Sequence, residues 1–503
     1  MSTSKAIIKN TLFLYIRMFL TMGVSLYTSR VILNSLGVQD YGVYSVVGGI
    51  VTLFSFFNSA MTSATQRFLA FDIGANDIEQ LKKTFNATLN IHIGISILVL
   101  ALAETIGLWF VNYKLNLPLD RMLAVNWVYQ FSVLTFLLGI IQVPYDALII
   151  ARERMNIYAY MSIVEVILKL AIVYLLVVFA FDKLILYSGL LFLVSFFVRS
   201  GHKIYCKINF EESKYKFYFE KDLYKKLISF SGWSLFGNIA GVARGQGSNI
   251  LLNLFFGTVL NAAYGISMQV QGTVQTFVIN FQMAVNPQII KQYASGNKEQ
   301  CLKLIFQSAK FSYFLMFIIA CPILFNIDFV LELWLKNPPK YTSIFVILSV
   351  INLLIDCISG PLMIGAQASG NIKWYQITLG SFIFLCLPIS YFFLKSYNDP
   401  KIIFIVIIAV NTISLVGRLL FLNKLINLDI QSFVLKVLLK IVIVTAILVS
   451  LHHFINISIQ NKYINFFIKS SYLTLINIVS IYFIGFDKSE RNLILTFIKR
   501  KIL

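Results

Sequence analysis

Charge is what this sequence has least of. Only 13% of its 503 residues are Asp, Glu, Lys or Arg, about half the share of a soluble domain, while 58% are hydrophobic and the mean hydropathy is +0.79. A soluble globular chain is thereby excluded, and an all-α polytopic membrane protein is expected. Acidic residues number 22 against 42 basic ones. In a soluble chain the resulting +20 would suggest a nucleic-acid partner; here it is topological information, and no nucleic acid is expected. Cys206, Cys301, Cys321, Cys357 and Cys386 are scattered, mostly inside apolar runs, with no CxxC pair, which argues against a disulfide framework, a zinc site or any other metal. HExxH, GxSxG and P-loop patterns are absent, so an enzyme is not expected, and no cofactor is implied. A cleavable leader is not indicated, because the first apolar run, 11–33, is long enough to span and no small-residue cleavage site follows it.

What is present is apolar length. Spans need about 20 mostly apolar residues, and fourteen are expected, at 11–34, 41–64, 86–111, 122–149, 157–181, 184–206, 227–256, 261–290, 304–333, 342–366, 373–395, 401–423, 432–454 and 463–486. Cytoplasmic loops collect Lys and Arg. With the N-terminus inside, the inner segments take most of them, including Arg67, Lys82, Lys83, Arg152, Arg154 and a basic run from Arg199 through Lys226. The outer loops hold only Lys114, Arg121, Lys183, Lys336, Lys340, Lys395, Lys401 and Lys462. Both termini are therefore expected to be cytoplasmic.

The chain also resembles itself. SRVILNSLG (Ser29 to Gly37), Tyr41-Gly42, Gly49 and GANDIEQLKKTF (Gly74 to Phe85) return as SNILLNLFFG (Ser248 to Gly257), Tyr264-Gly265, Gly272 and GNKEQCLKLIF (Gly296 to Phe306). The offset stays near 220, which marks an internal duplication. Six spans precede the second copy, so both halves enter the membrane in the same sense. The expected organisation is an N-terminal six-helix lobe at 1–206, a basic linker at 207–226, a second six-helix lobe at 227–424, and two extra helices with a basic tail at 425–503.

Polar residues inside the spans are the candidates for function, because a charge at mid-bilayer costs about 2.5–3.5 kcal/mol on insertion scales and tends to face a cavity. Arg244 stands deep in the seventh span among Asn238, Gln246, Asn249 and Asn253, and span eight adds Gln269, Gln271, Gln275, Asn280, Gln282 and Asn286. Gln271 and Gln275 share a helix face. These amides suit hydroxyl-rich cargo, although each can equally bond a neighbouring helix. Arg30 occupies the place that the repeat gives to Asn249, and it can also snorkel to the outer interface; Arg17 is expected at the inner one. Glu165 and Lys169, four apart on span five, are spaced to neutralise each other, with Lys169 also able to face a cavity. Gly241, Gly245 and Gly247 favour close helix packing over a phosphate loop. Glu104, His92 and Asp356 have no evident partner.

SRVILNSLGVQDYGVYSVV (Ser29 to Val47), VPYDALIIARERM (Val143 to Met155) and GWSLFGNIAG with NILLNLFFG in span seven resemble the polysaccharide biosynthesis flippases. These are the O-antigen-type repeat-unit transporters of the multidrug/oligosaccharidyl-lipid/polysaccharide exporter superfamily. The resemblance covers most of the first ten spans and fades after about Lys395. It implies two six-helix lobes in a V around a central cavity, carrying an undecaprenyl-pyrophosphate-linked glycan from the inner to the outer leaflet of a bacterial cytoplasmic membrane by alternating access. The implied partners are the lipid-linked glycan, the bilayer, and glycosyltransferases or a polymerase of the same pathway. Arg30 and Arg244 are the cavity cations that the resemblance suggests. A lipid II flippase and a cation-coupled drug exporter share this architecture. The exporter calls for a carboxylate in the membrane, and spans one, two, seven and eight have none. A membrane glycosyl polymerase would need a large outer loop with acid or base residues, which is lacking.

Overall fold

The computed structural model describes residues 3–52, 55–113, 119–178, 181–256, 258–335, 338–454, 460–488 and 490–492. Among them there is no strand. The helices are α1 (Thr3–Thr52), α2 (Ser55–Gly74), α3 (Ile78–Leu102), α4 (Leu108–Tyr113), α5 (Met122–Ala151), α6 (Met155–Val178), α7 (Lys183–Asn209), α8 (Lys221–Phe256), α9 (Thr258–Ala294), α10 (Lys298–Phe325), α11 (Ile327–Leu335), α12 (Thr342–Ser369), α13 (Lys373–Tyr397), α14 (Ile402–Ile426), α15 (Ile430–Phe433), α16 (Leu439–Phe454) and α17 (Lys462–Ser480). A π turn at Ala103–Gly107 joins α3 to α4, and another at Val434–Leu438 joins α15 to α16.

Ten of these stretches are long and apolar enough to cross a membrane by length and composition. The four remaining expected spans fall on α1, α2, α8 and α9, the opening pair of each repeat. In α8 and α9, Arg, Asn and Gln interrupt the apolar run; in α1 and α2 part of the expected run lies outside the described residues. The break expected between residues 34 and 41 is not there: the backbone stays helical through Thr52. Gly37 is the sole strong helix breaker in that stretch, and one glycine costs a helix only about 1 kcal/mol.

The chain divides into two compact units, Met1–Asn238 with Ile290–Asn297, and Ile239–Ile289 with Lys298–Leu503. In unit 1, α5 is the hub, touching α1, α2, α3, α6 and α7. Its apolar side chains Val125, Val128, Tyr129 and Ile140 are buried. Tyr129 donates its hydroxyl to Ala103 O at 2.6 Å, satisfying a carbonyl of the π turn. Gly107 is required beside it, because a Cβ there would lie 2.2 Å from that hydroxyl. In unit 2, α12 packs on α10, α11 and α14, and the appended α17 packs on α10 and α16.

Charged residues gather at opposite ends of unit 1, as the loop sidedness expects. At one end Arg121 bridges Asp40 and Asp182, and Asp182 also caps α7 by accepting from Leu184 N and Ile185 N. At the other end Arg152 pairs with the buried Glu212, Lys82 with Glu211, and Lys291 with Glu153. Asn86 accepts from Lys216 N at 2.7 Å, so residues of the expected linker are stitched onto unit 1.

Turn geometry also carries the repeat. α2 ends with Ala75 N, Asn76 N and Asp77 N donating to Phe71 O, Ile73 O and Asp72 O. α9 ends with Ser295 N, Gly296 N and Asn297 N donating to Lys291 O, Tyr293 O and Gln292 O. Asn76 and Gly296 both adopt the left-handed conformation, with φ of 58° and 79°. The equivalent positions are thus Asn76 and Gly296, two residues away from the Gly74–Gly296 match in the sequence. Gly74 instead permits a close approach, since a Cβ there would fall 2.5 Å from Lys291 Cα. The fourth span of each copy obeys the same rule, with helix-interior Pro144 and Pro361 each nine residues before a left-handed turn residue, Glu153 and Gly370.

Candidate functional site

Each expected site residue now has a place. Arg30 lies on α1 and Asn253 on α8, with side chains outside the described residues. Gln246 on α8 is exposed, whereas Asn249 on α8 and Gln271 and Gln275 on α9 are half-buried. Arg244 turns into unit 2, where its Nη1 donates to Asn411 Oδ1 at 2.9 Å and Asn411 Nδ2 donates to Asn352 Oδ1 at 2.6 Å. One polar chain therefore links α8, α14 and α12. Tyr264 donates to Gly245 O at 3.0 Å alongside it.

Some of the amides serve packing. Gln282 donates to Ser312 Oγ and Cys357 O, and Asn280 to Thr276 O. Gly247 leaves room for Leu387, the close packing expected of it, whereas a Cβ at Gly241 or Gly245 would meet nothing within 4 Å among the described residues. Glu104 accepts from Gln130 at 3.1 Å, and buried His92 bonds Thr88 O through Nδ1 at 2.8 Å. Both residues are partnered, which their positions in sequence did not reveal.

The site with the most built geometry lies in unit 1. A cavity of about 630 Å³ opens between α1, α5, α6 and α7, lined by Tyr44 and Gly48 from α1, Ser132, Thr135 and Gly139 from α5, Lys169 from α6, and Ser188, Ser195 and Arg199 from α7, with Val51, Phe131, Phe136 and Leu191 between them. That volume is within the usual range for small-ligand sites, about 300–1,000 Å³. Two cations and several hydroxyls face it, and no carboxylate is among its described lining residues. Lys169 donates to Glu165 Oε1 at 2.6 Å, the pairing expected from the four-residue spacing, and it lines this cavity within unit 1. Arg199 Nη1 is buried with no hydrogen-bond partner among the described residues, and Asp146 and Glu165 are the carboxylates whose charge reaches it.

Sequence alone counts Arg199 with the basic run that follows span six, although the span expected at 184–206 contains it. The helix α7 reaches Asn209, which puts Arg199 about 15 Å inside that helix end at 1.5 Å per residue. The signal in the sequence was the stripe Ser188, Ser195, Arg199, His202 at helical spacing. Behind Arg199 stands a second polar group. His202 Nδ1 lies 2.9 Å from Asp146 Oδ1, Gln142 donates to the same oxygen at 3.0 Å, and the Tyr158 ring stacks on the imidazole at 6.3 Å and 11°. Arg17, expected at the interface, packs over the Tyr158 ring at 5.0 Å. Gly139 is the close approach that makes room: a Cβ there would fall 2.6 Å from Arg199 Nη1.

No protein-family profile matches this chain, and no curated protein sequence does. Solved structures do match its fold. An outward-facing multidrug resistance MATE family transporter of the MOP superfamily superposes with a TM-score of 0.70 at 13% identity, covering 84% of this chain and 96% of that one. The MATE transporter ClbM in complex with Rb+ gives 0.67 at 15% identity, covering 86% and 96%. A MOP superfamily transporter from Pyrococcus furiosus, described as having a binding pocket of reversed polarity, gives 0.65 at 13%, covering 83% and 96%. The chain has the MATE fold.

Proposed function

We propose that the protein is a membrane transporter working by alternating access, and that its cargo is a lipid-linked glycan whose headgroup carries phosphate. On this reading it moves an undecaprenyl-pyrophosphate-linked repeat unit from the inner to the outer leaflet of a bacterial cytoplasmic membrane, with both termini cytoplasmic. The observation that carries the reading is the unit 1 cavity, which presents Arg199, and Lys169 in its pair with Glu165, among hydroxyls, with no carboxylate among its described lining residues. Guanidinium binds phosphate through parallel hydrogen bonds, and at about 4 Å and an effective dielectric near 20 each phosphate charge gains about 4 kcal/mol. Serine and threonine hydroxyls replace water around sugar hydroxyls, and the polyprenyl tail stays in lipid. Arg244, Arg30, Gln246, Asn249, Asn253, Gln271 and Gln275 remain proposed contacts for the rest of the glycan. With the inside negative, each anionic charge moved outward gains about 2.3 kcal/mol per 100 mV, so the membrane potential favours export.

The test is a leaflet-exposure assay on proteoliposomes loaded with lipid-linked glycan, comparing wild type with Arg199→Ala and Lys169→Ala. Arg199→Ala is expected to lose transport at least tenfold while inserting normally. Full activity in both variants would overturn the reading. The drug-exporter reading draws on the multidrug resistance transporter that shares the fold. It predicts that the same proteoliposomes expel a cationic dye and leave the glycan unflipped.

A further inference from the structure

A buried histidine without hydrogen bonds calls for a reason, because most buried polar atoms in folded proteins are satisfied. His202 is such a residue. Neither ring nitrogen makes a hydrogen bond among the described residues, although Nδ1 stands 2.9 Å from the Asp146 carboxylate. Its side chain is 8% exposed, against 32% for Asp146. The imidazole and the carboxylate stand at contact distance.

The neighbours define the charge balance. From α5 come Asp146, held by Gln142, and the Tyr145 carbonyl, which takes the Cys206 thiol at 3.7 Å. From α6 come the Tyr158 ring and the Glu165–Lys169 pair, internally neutral. From α7 come Arg199 and Cys206, and from α1 comes Arg17, over the Tyr158 ring. The charge of Asp146 reaches Arg199 as well as His202, so one carboxylate stands between two bases. Arg199 lines the cavity and His202 does not. One turn of α7 separates the two.

We infer that His202 is a positioning residue whose protonation sets the anion affinity of the unit 1 cavity, by drawing Asp146 away from Arg199. With the imidazole neutral, Asp146 offsets the guanidinium, and the Asp146, Arg199 and His202 group carries no net charge. With the imidazole protonated, Asp146 pairs with it at contact distance, and Arg199 is left with its full charge toward the cavity. Histidine is the side chain that makes this change between about pH 5 and 8. The inference deepens the proposed function and rests on it.

The experiment measures inorganic pyrophosphate binding to the full-length protein in nanodiscs, by calorimetry between pH 5.5 and 8, for wild type, His202→Gln, Asp146→Asn and Arg199→Ala. The probe's own titration is common to all four and cancels in the comparison. Wild type is expected to bind about tenfold tighter at the acid end than the pH trend of His202→Gln accounts for. Asp146→Asn is expected to bind tightly at both ends with no excess slope, since Arg199 then has no competing carboxylate. A wild-type slope in His202→Gln, or weak binding at pH 8 in Asp146→Asn, overturns the linkage. Undiminished binding in Arg199→Ala overturns the cavity reading itself, a separate failure.

Discussion

Glu153 and Gly370 occupy the same left-handed turn in the two copies of the repeat, each nine residues beyond a helix-interior proline. Glycine takes that conformation freely, whereas a side chain there costs about 1 kcal/mol. Glu153 tolerates it where its carboxylate meets Lys291, the residue against which Gly74 closes.

The first prediction follows from that asymmetry. Glu153→Gly and Glu153→Ala both remove the ion pair, but only alanine keeps the strained backbone. Thermal unfolding in detergent should place the glycine variant about 1 kcal/mol above the alanine variant. Equal stabilities would show that the turn carries no strain.

Arg121 gives a second. It joins Asp40 on α1 to Asp182 at the start of α7, and the Arg121 hydrogen bond holds the Asp182 carboxyl below its ordinary value. A depressed carboxyl contributes stability that is fully present above the unfolded value, about 3.9, and is lost as pH falls through the folded one. Solvent reaches 24% of the Arg121 and 31% of the Asp182 side chain. Arg121→Ala should therefore cost about 1–2 kcal/mol near neutral pH, less than a buried pair would. That gap between wild type and variant should close in acid titrations of unfolding.

Burial reverses the magnitude for Lys310. Its amine and the Glu490 carboxylate are 2.7 Å apart with both side chains 3% exposed, and Asp487 bridges the same amine to Lys440. Lys310→Met leaves Glu490 buried and unpaired, at an expected cost of about 3–5 kcal/mol. Lys310→Met with Glu490→Leu should recover most of that in the same unfolding measurement. No recovery would mean that the pair does more than balance charge where the last two helices join α10.

Gly139 offers a test of the cavity that leaves its charges in place. A methyl at this position would sit 2.6 Å from Arg199 Nη1, and the long side chain can swing aside at small cost to folding. Gly139→Ala is expected to keep the unfolding temperature within a few degrees and to lower transport about tenfold, as misplaced groups do. Undisturbed transport would separate Arg199 from the transport step.

Much of the architecture was legible in the sequence, since apolar length and loop charge are local properties. Spans four to six and ten to fourteen match helices of the structure to within several residues, whereas the helix of span three begins eight residues earlier than expected and span nine is broken between α10 and α11; the duplication reappears as paired turns at Asn76 and Gly296. The site was less legible. Arg199 lies inside the span expected at 184–206 yet groups by charge with the basic loop that follows; nothing local reveals that Asp146, more than fifty residues earlier, stands against His202. The ring that Arg17 packs over belongs to another helix, α6, and is equally out of reach of a local pattern.

Composition and periodicity by themselves determined that this chain is helical, that most of its spans are long enough for a bilayer, and that it repeats. These follow from each residue's transfer energy and from hydrogen bonds closed within four residues. Which charges face a cavity, which are neutralised and which stay available was decided only by the packing of α1, α5, α6 and α7. Ion pairing depends on distances across helices, and helical spacing fixes the face a side chain occupies without naming what stands opposite.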